Sequence, residues 1–160
     1  MKQTIAFIVH GDPKPQGSKL SHAIYGRDGK PVMKNGRVIT VTRNDNPDVL
    51  SWRGAVADAA RHVYDGPLLT GPIKLTVLFY RPRPKGHFGS GRNANNIKES
   101  APAYPTTKPD STKLLRAVED ALTNVVWKDD SQIVKHDVEK NWGASAQTHV
   151  IVETLSPEAT

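Results

Sequence analysis

Apolar and polar residues alternate through "IKLTVLFY": Ile73, Leu75, Val77 and Phe79 share one side, and Lys74, Thr76 and Tyr80 the other. That period of two is the mark of a strand with one buried face. "TIAFIVHG", rich in β-branched and aromatic residues and closed by Gly-Asp-Pro, predicts a second strand from Thr4 to Gly11. Helical spacing of Val49, Leu50, Trp52, Val56, Ala59, Ala60 and Val63 predicts a helix from about Pro47 to Tyr64. Another apolar stripe, Leu114, Leu115, Val118, Ala121, Leu122 and Val125, predicts a helix following Asp110, with Lys113, Arg116, Glu119 and Asp120 off the stripe. "IVKHDVEKNW" and "THVIVETL" read as strands joined by a Gly-Ala-Ser turn and are expected to form an antiparallel pair.

Between these elements the period is lost. Residues 12–46 are dense in Gly, Pro, Asn and Lys, with turn signals in "GRDGK" and "KNGRV" and a possible hairpin strand in "RVITVT". Residues 82–108 keep no pattern for about 25 residues, a length that within a compact domain marks a functional or unfolded loop. The order is β-loop-α-β-loop-α-β-β. It predicts one α+β domain over residues 1–160, built on a small mixed β-sheet with two main helices.

Composition narrows the setting. The chain has 160 residues, 37% of them hydrophobic, enough for one core and too few for two ordinary domains. It has no cysteine, which removes disulfides, thiolate zinc sites and cysteine nucleophiles together. Neither a signal-type apolar run nor a membrane-length stretch occurs, so a cytoplasmic protein without membrane attachment is expected.

Charge changes the picture more. The net charge is +6, and the bases concentrate in the two patternless segments. Between Gly11 and Arg43 the chain carries Lys14, Lys19, Arg27, Lys30, Lys34, Arg37 and Arg43 against Asp12 and Asp28; between Arg81 and Lys108 it carries Arg81, Arg83, Lys85, Arg92, Lys98 and Lys108 against Glu99. From Pro109 onward acids outnumber bases. Basic loops beside an acidic motif suggest a polyanion held by one part and worked on by the other.

The acids in "KPDSTKLLRAVEDALTNVVWKDDSQIV" carry the candidate chemistry. Taken singly, Asp110 reads as a helix N-cap and Asp129-Asp130 as a turn into a strand. Taken together they could hold a cation, although a helix of a dozen residues spans just under ~20 Å, so the chain must double back, or a second chain must join, for them to meet. Oxygen ligands without His or Cys suit Mg²⁺, with Mn²⁺ as a substitute, and a divalent ion beside a basic groove describes phosphodiester hydrolysis.

The same stretch resembles the signature of the RusA family of crossover-junction endodeoxyribonucleases: a K/R-P-D-x-D-x-L-x-K-A-x-x-D-A-L helix, then W/Y-x-D-D-x-Q-V. The resemblance is strong from Lys108 to Val134. "GDPKPQGSK", the Trp52 helix and the long loop resemble phage-type members more loosely. It implies a RusA-like homodimer that resolves four-way (Holliday) junctions in DNA recombination and repair by Mg²⁺-dependent symmetric nicks. It puts Asp110 in the place of the first catalytic and metal-binding aspartate, Asp130 in that of the essential acid after the helix, and Asp129 beside it. Arg116 stands where the family often has a functional lysine, and a guanidinium differs in shape from an ammonium. Thr112 replaces the family's second aspartate and cannot supply anionic charge to a metal. Lys113 stands where many members have Asn. Lys14, Lys19, Arg81, Arg83, Lys85, Arg92, Lys108 and Lys113 are the expected DNA contacts.

Glu119 and Asp120 could replace the missing acid, but at three and four residues from Arg116 they are expected to pair with it. The histidines are scattered and read as surface or packing residues; Trp52, Trp127 and Trp142 read as core. The competing reading keeps the fold and junction binding but loses catalysis through Thr112. A PD-(D/E)xK nuclease is disfavoured, because acid-x-Lys occurs only before Asp110.

Overall fold

In a computed structural model, which describes residues 2–17, 19–44 and 48–156, the alternating segments form one four-stranded sheet. Strand β1 is Thr4–His10; β2 (Lys19–Ala23), β3 (Met33–Lys34), β4 (Arg37–Val38) and β5 (Thr40–Asn44) follow; helix α1 is Val49–Val63, β6 Ile73–Pro82, helix α2 Ser111–Leu122, β7 Ile133–Gly143 and β8 Gln147–Thr154. The sheet order is β1-β8-β6-β7, with β8 antiparallel to both neighbours and β7 parallel to β6. The mixed sheet and two helices are those the sequence predicts.

The expected β7–β8 antiparallel pair does not form. The β6-α2-β7 unit is a crossover, which returns β7 parallel to β6, and β8 enters on the opposite side of β6. Burial explains the choice. Thr148, Val150 and Val152 of β8 are fully buried and need neighbours on both sides, whereas Lys135, His136, Asp137 and Glu139 of β7 are exposed and suit an edge. Residues 144–146 span the two inter-strand spacings across the end of β6, about 10 Å, well within reach of the chain.

Both helices cover one face. Ile5, Phe7 and Val9 of β1, Ile73, Leu75, Val77 and Phe79 of β6, and Val150 and Val152 of β8 pack with Val49, Trp52, Val56 and Ala60 of α1 and Leu114, Ala117, Val118 and Leu122 of α2. Helix α1 lies against β1 and α2, and α2 against β7. Trp127 is fully buried after α2. The α1 stripe is narrower than expected, with Leu50 68% and Val63 50% exposed and Ala57 buried instead. Pro47, the expected start, lies outside the described residues.

The first patternless segment folds into two small antiparallel pairs, β2 with β5 and β3 with β4. Its tight turn places Asn35 and Gly36 at φ 51° and 75°, the left-handed region that Asn-Gly accepts most readily. The second segment is tied to itself: Lys98 N–H donates to His87 O (2.9 Å), Gly89 N–H to Asn96 O (3.0 Å), and Phe88 bridges Ile97. Among the described residues no helix is long and apolar enough to cross a membrane.

Candidate nuclease site

The head of α2 is built by a row of polar side chains on the helix-facing side of the sheet. Alternation along β7 turns His136, Val138, Lys140 and Trp142 toward that side, in register with Leu75, Val77, Phe79 and Arg81 of β6. Lys140 Nζ donates to Thr107 O (2.9 Å) and Pro109 O (3.0 Å), holding the segment that leads into α2. Arg81 Nη1 donates to Lys108 O (3.1 Å). Arg83 Nη1 and Trp142 Nε1 both donate to Pro102 O, at 2.9 and 3.0 Å. The Lys108-Pro109 bond is cis. Lower on the helix, His136 Nε2 meets Glu119 Oε1 at 2.6 Å.

Asp110 occupies the N-cap position, but its carboxylate makes no capping bond, and the residue is exposed. Its oxygens and the first amides of α2 therefore face solvent together. A helix N-terminus carries about half a positive charge. Lys108 just before it, Lys113 in the first turn of α2 and Arg116 in the second turn are exposed, and among the described residues no carboxylate is within ion-pair distance of them or of Lys85 and Arg92.

Asp129 has a different duty. Its Oδ1 accepts from Ser131 N–H (2.8 Å), while Gln132 Oε1 accepts from Lys128 N–H and Asp129 N–H, both at 3.1 Å, which makes a reciprocal cap on the 3₁₀ turn Asp130–Gln132. Gln132 Nε2 also donates to Leu69 O at 2.9 Å, fastening this turn to the segment that leads into β6. Hydrogen bonding from Ser131, through its side chain first and then its backbone N–H, holds Asp129 below the ordinary carboxylate value of 3.8. Asp130 is exposed at the first position of the turn.

The two acidic groups are at opposite ends of α2. Twelve helical residues separate them by about 18 Å; β7 does run back along α2, as the His136–Glu119 and Lys140–Pro109 contacts show, but Asp129 and Asp130 precede that strand and stay at the far end. Among the described residues no three His, Asp or Glu side chains are close enough together to hold a metal ion. A single chain thus does not fit a divalent cation between Asp110 and Asp130. The reserve acids are engaged elsewhere: Glu119 with His136, and Asp120 with Arg53 of α1, Oδ2 to Nη1 3.8 Å. Neither pairs with Arg116 as expected, because α2 packs closely enough on its neighbours for both to find partners there.

The basic residues divide. Arg81 and Arg83 are half-buried and bind loop carbonyls; Arg81 Nε is also 3.6 Å from Asp12 Oδ1, and Lys14 Nζ is 3.3 Å from Asp12 Oδ2. Lys85, Arg92, Lys108 and Lys113 are exposed. The side chain of Lys19 lies outside the described residues. Trp52 and Trp127 are core, but Trp142 is half-buried under the long loop. Lys140, His136 and Trp142 were not anticipated as residues that hold α2 and the loop; the even-numbered positions of "IVKHDVEKNW" carried that signal.

Two comparisons relate the chain to other proteins. A relative in Bacillus subtilis (strain 168), the Uncharacterized protein YqaN, is 32% identical over 155 residues, 95% of this chain and 97% of that protein. The family described as Endodeoxyribonuclease RusA matches residues 28–153, which include α1, β6, the long loop, α2 and the Asp129-Asp130 turn. With the free carboxylate at the head of α2 and the acid pair at its far end, that match over most of the chain shows that the protein belongs to the RusA endodeoxyribonuclease family.

Proposed function

We propose that this protein is a Holliday-junction endodeoxyribonuclease that works as a homodimer with Mg²⁺, Mn²⁺ serving in its place. Family membership supports junction cleavage. The observation that carries the site assignment is the uncapped, exposed Asp110 at the head of α2, with exposed Lys108 just before it and exposed Lys113 and Arg116 in the first two turns. Those cations and the helix N-terminus orient a phosphodiester against the carboxylate.

The misfit of one chain to a metal favours the dimer. With two α2 helices antiparallel about a twofold axis, Asp110 would face Asp129 and Asp130 of the partner subunit, and the pair would present two equivalent sites to a twofold-symmetric junction. A divalent ion held there would lower the pKa of its water and neutralise charge on the phosphate. A second reading, junction binding with weakened cleavage, is favoured by Thr112, exposed at the second residue of α2, and by the engagement of Glu119 and Asp120 elsewhere.

The test uses a synthetic four-way junction and a linear duplex, with Mg²⁺, Mn²⁺ or EDTA. Metal-dependent cleavage of the junction alone is expected, lost in Asp110→Asn and in Asp130→Asn. Mixing the two inactive variants separates the dimer from the single-chain reading. A heterodimer then carries one doubly mutated site and one intact site, so nicking returns; no recovery on mixing refutes the shared site.

A further inference from the structure

The long loop leaves an aromatic concavity that the nuclease site does not use. An open hollow of about 340 Å³ lies between the loop and the β7–β8 turn, lined by Pro82, Arg83, Phe88, Ile97, Trp142 and Gly143 among others. The Arg83 guanidinium carbon is 5.3 Å from the centroid of the Trp142 indole, and the His87 ring meets that indole edge-on at 5.1 Å and 90°. The indole N–H and Arg83 both bind Pro102 O, so the wall is fixed by hydrogen bonds as well as by packing. Phe88 is only half-buried and Ile97 is 53% exposed, although they bridge one another in a loop that is otherwise polar.

We propose that this hollow holds one unpaired nucleobase of the junction, taken from the branch point. This rests on the reading of the chain as a binder of branched DNA and adds to it the part of the DNA that is held. The occupant follows from two features together. Phe88, Ile97 and Trp142 offer a flat apolar surface, which a base covers by stacking. The residues around them are cationic, with Arg83 in the wall and exposed Lys85 and Arg92 on the same loop, and no carboxylate lines the hollow. A flat apolar group attached to a polyanion matches both, whereas an apolar peptide side chain matches only the first. Position agrees as well. Trp142 is two residues along β7 from Lys140, which binds Pro109 O immediately before Asp110, so a base in the hollow lies on the same rim of the molecule as the scissile phosphate.

Junctions carrying a single abasic residue, moved one position at a time through the branch, provide the test. Removing the held base should weaken binding by the wild-type protein by roughly 5- to 150-fold at one position, the range expected for one stacked base. In Phe88→Ala the penalty at that position should largely vanish while penalties elsewhere stay the same, because base and wall are then removed together. Ile97→Ala, at an exposed position that the fold tolerates, should show the same non-additivity to a smaller degree and serves if Phe88→Ala fails to fold. A flat profile with tight junction binding overturns the base pocket and leaves the nuclease reading standing, as do abasic and pocket effects that simply add. Absence of junction binding by the wild type overturns both.

Discussion

Lys140 is the residue whose removal best separates the architecture of the site from its chemistry. Its ammonium donates to Thr107 O and Pro109 O at 2.9 and 3.0 Å, and both acceptors belong to the segment that delivers Asp110 to the head of α2. A hydrogen bond from a charged donor contributes about 1.5–3 kcal/mol when closed from water. Lys140 is half-buried, and water reaches the two carbonyls once the ammonium is gone, so the pair together is worth about 2 kcal/mol. Lys140→Met keeps the stem and removes the donors. At this chain length a loss of that size lowers the thermal midpoint by about 4–8 °C, read by circular dichroism. The effect on cleavage should be larger, because a displacement of Asp110 by 1 Å can cost on the order of 100-fold in rate. Junction affinity should change little, since Lys108, Lys113 and Arg116 remain. Lys140→Gln, with one neutral donor, should fall between. A midpoint within about 1 °C of wild type together with unchanged cleavage would show that Lys140 does not hold the segment.

Three further outcomes are expected. Thr112→Asp should raise cleavage and lower the Mg²⁺ required, measured by titration under single-turnover conditions; no gain in an already active enzyme would sink the missing-ligand argument. Lys85→Ala and Arg92→Ala, at exposed positions, should each reduce the slope of log K against log salt by about 0.9 if each touches one phosphate, while an unchanged slope would point them away from DNA. The folded-state pKa of Asp129 is depressed, so its contribution to stability is complete above the unfolded value near 3.8 and is lost as pH falls through the lower folded value. Wild type should therefore lose more of its urea midpoint between pH 6 and about 3 than Asp129→Asn does, and equal losses would remove Asp129 as the cap of its turn.

The sequence alone determined the elements and their chemistry, because both depend on local pattern. Period-two alternation marked β6, β-branched and aromatic content marked β1, an apolar stripe marked α2, and the Lys108–Val134 motif located the acids and the family. It did not determine which strands pair. Lys135 to Asn141 reads equally well as half of a hairpin or as an edge strand, and only the burial of Val150 and Val152 between two neighbours placed β8 inside and β7 outside. Nor could it say whether Asp110 and Asp130 meet. A helix of twelve residues keeps its ends apart by its own rise, so the separation follows from α2 remaining straight against the sheet while the chain leaves it toward β7. The same packing drew Glu119 to His136, Asp120 to Arg53, and Lys140 to the carbonyls before α2, partners 17, 67 and 31 or more residues away that no local spacing encodes. Charge and periodicity are written along the chain, whereas the meeting of distant groups depends on how two helices and a sheet exclude water from the space between them.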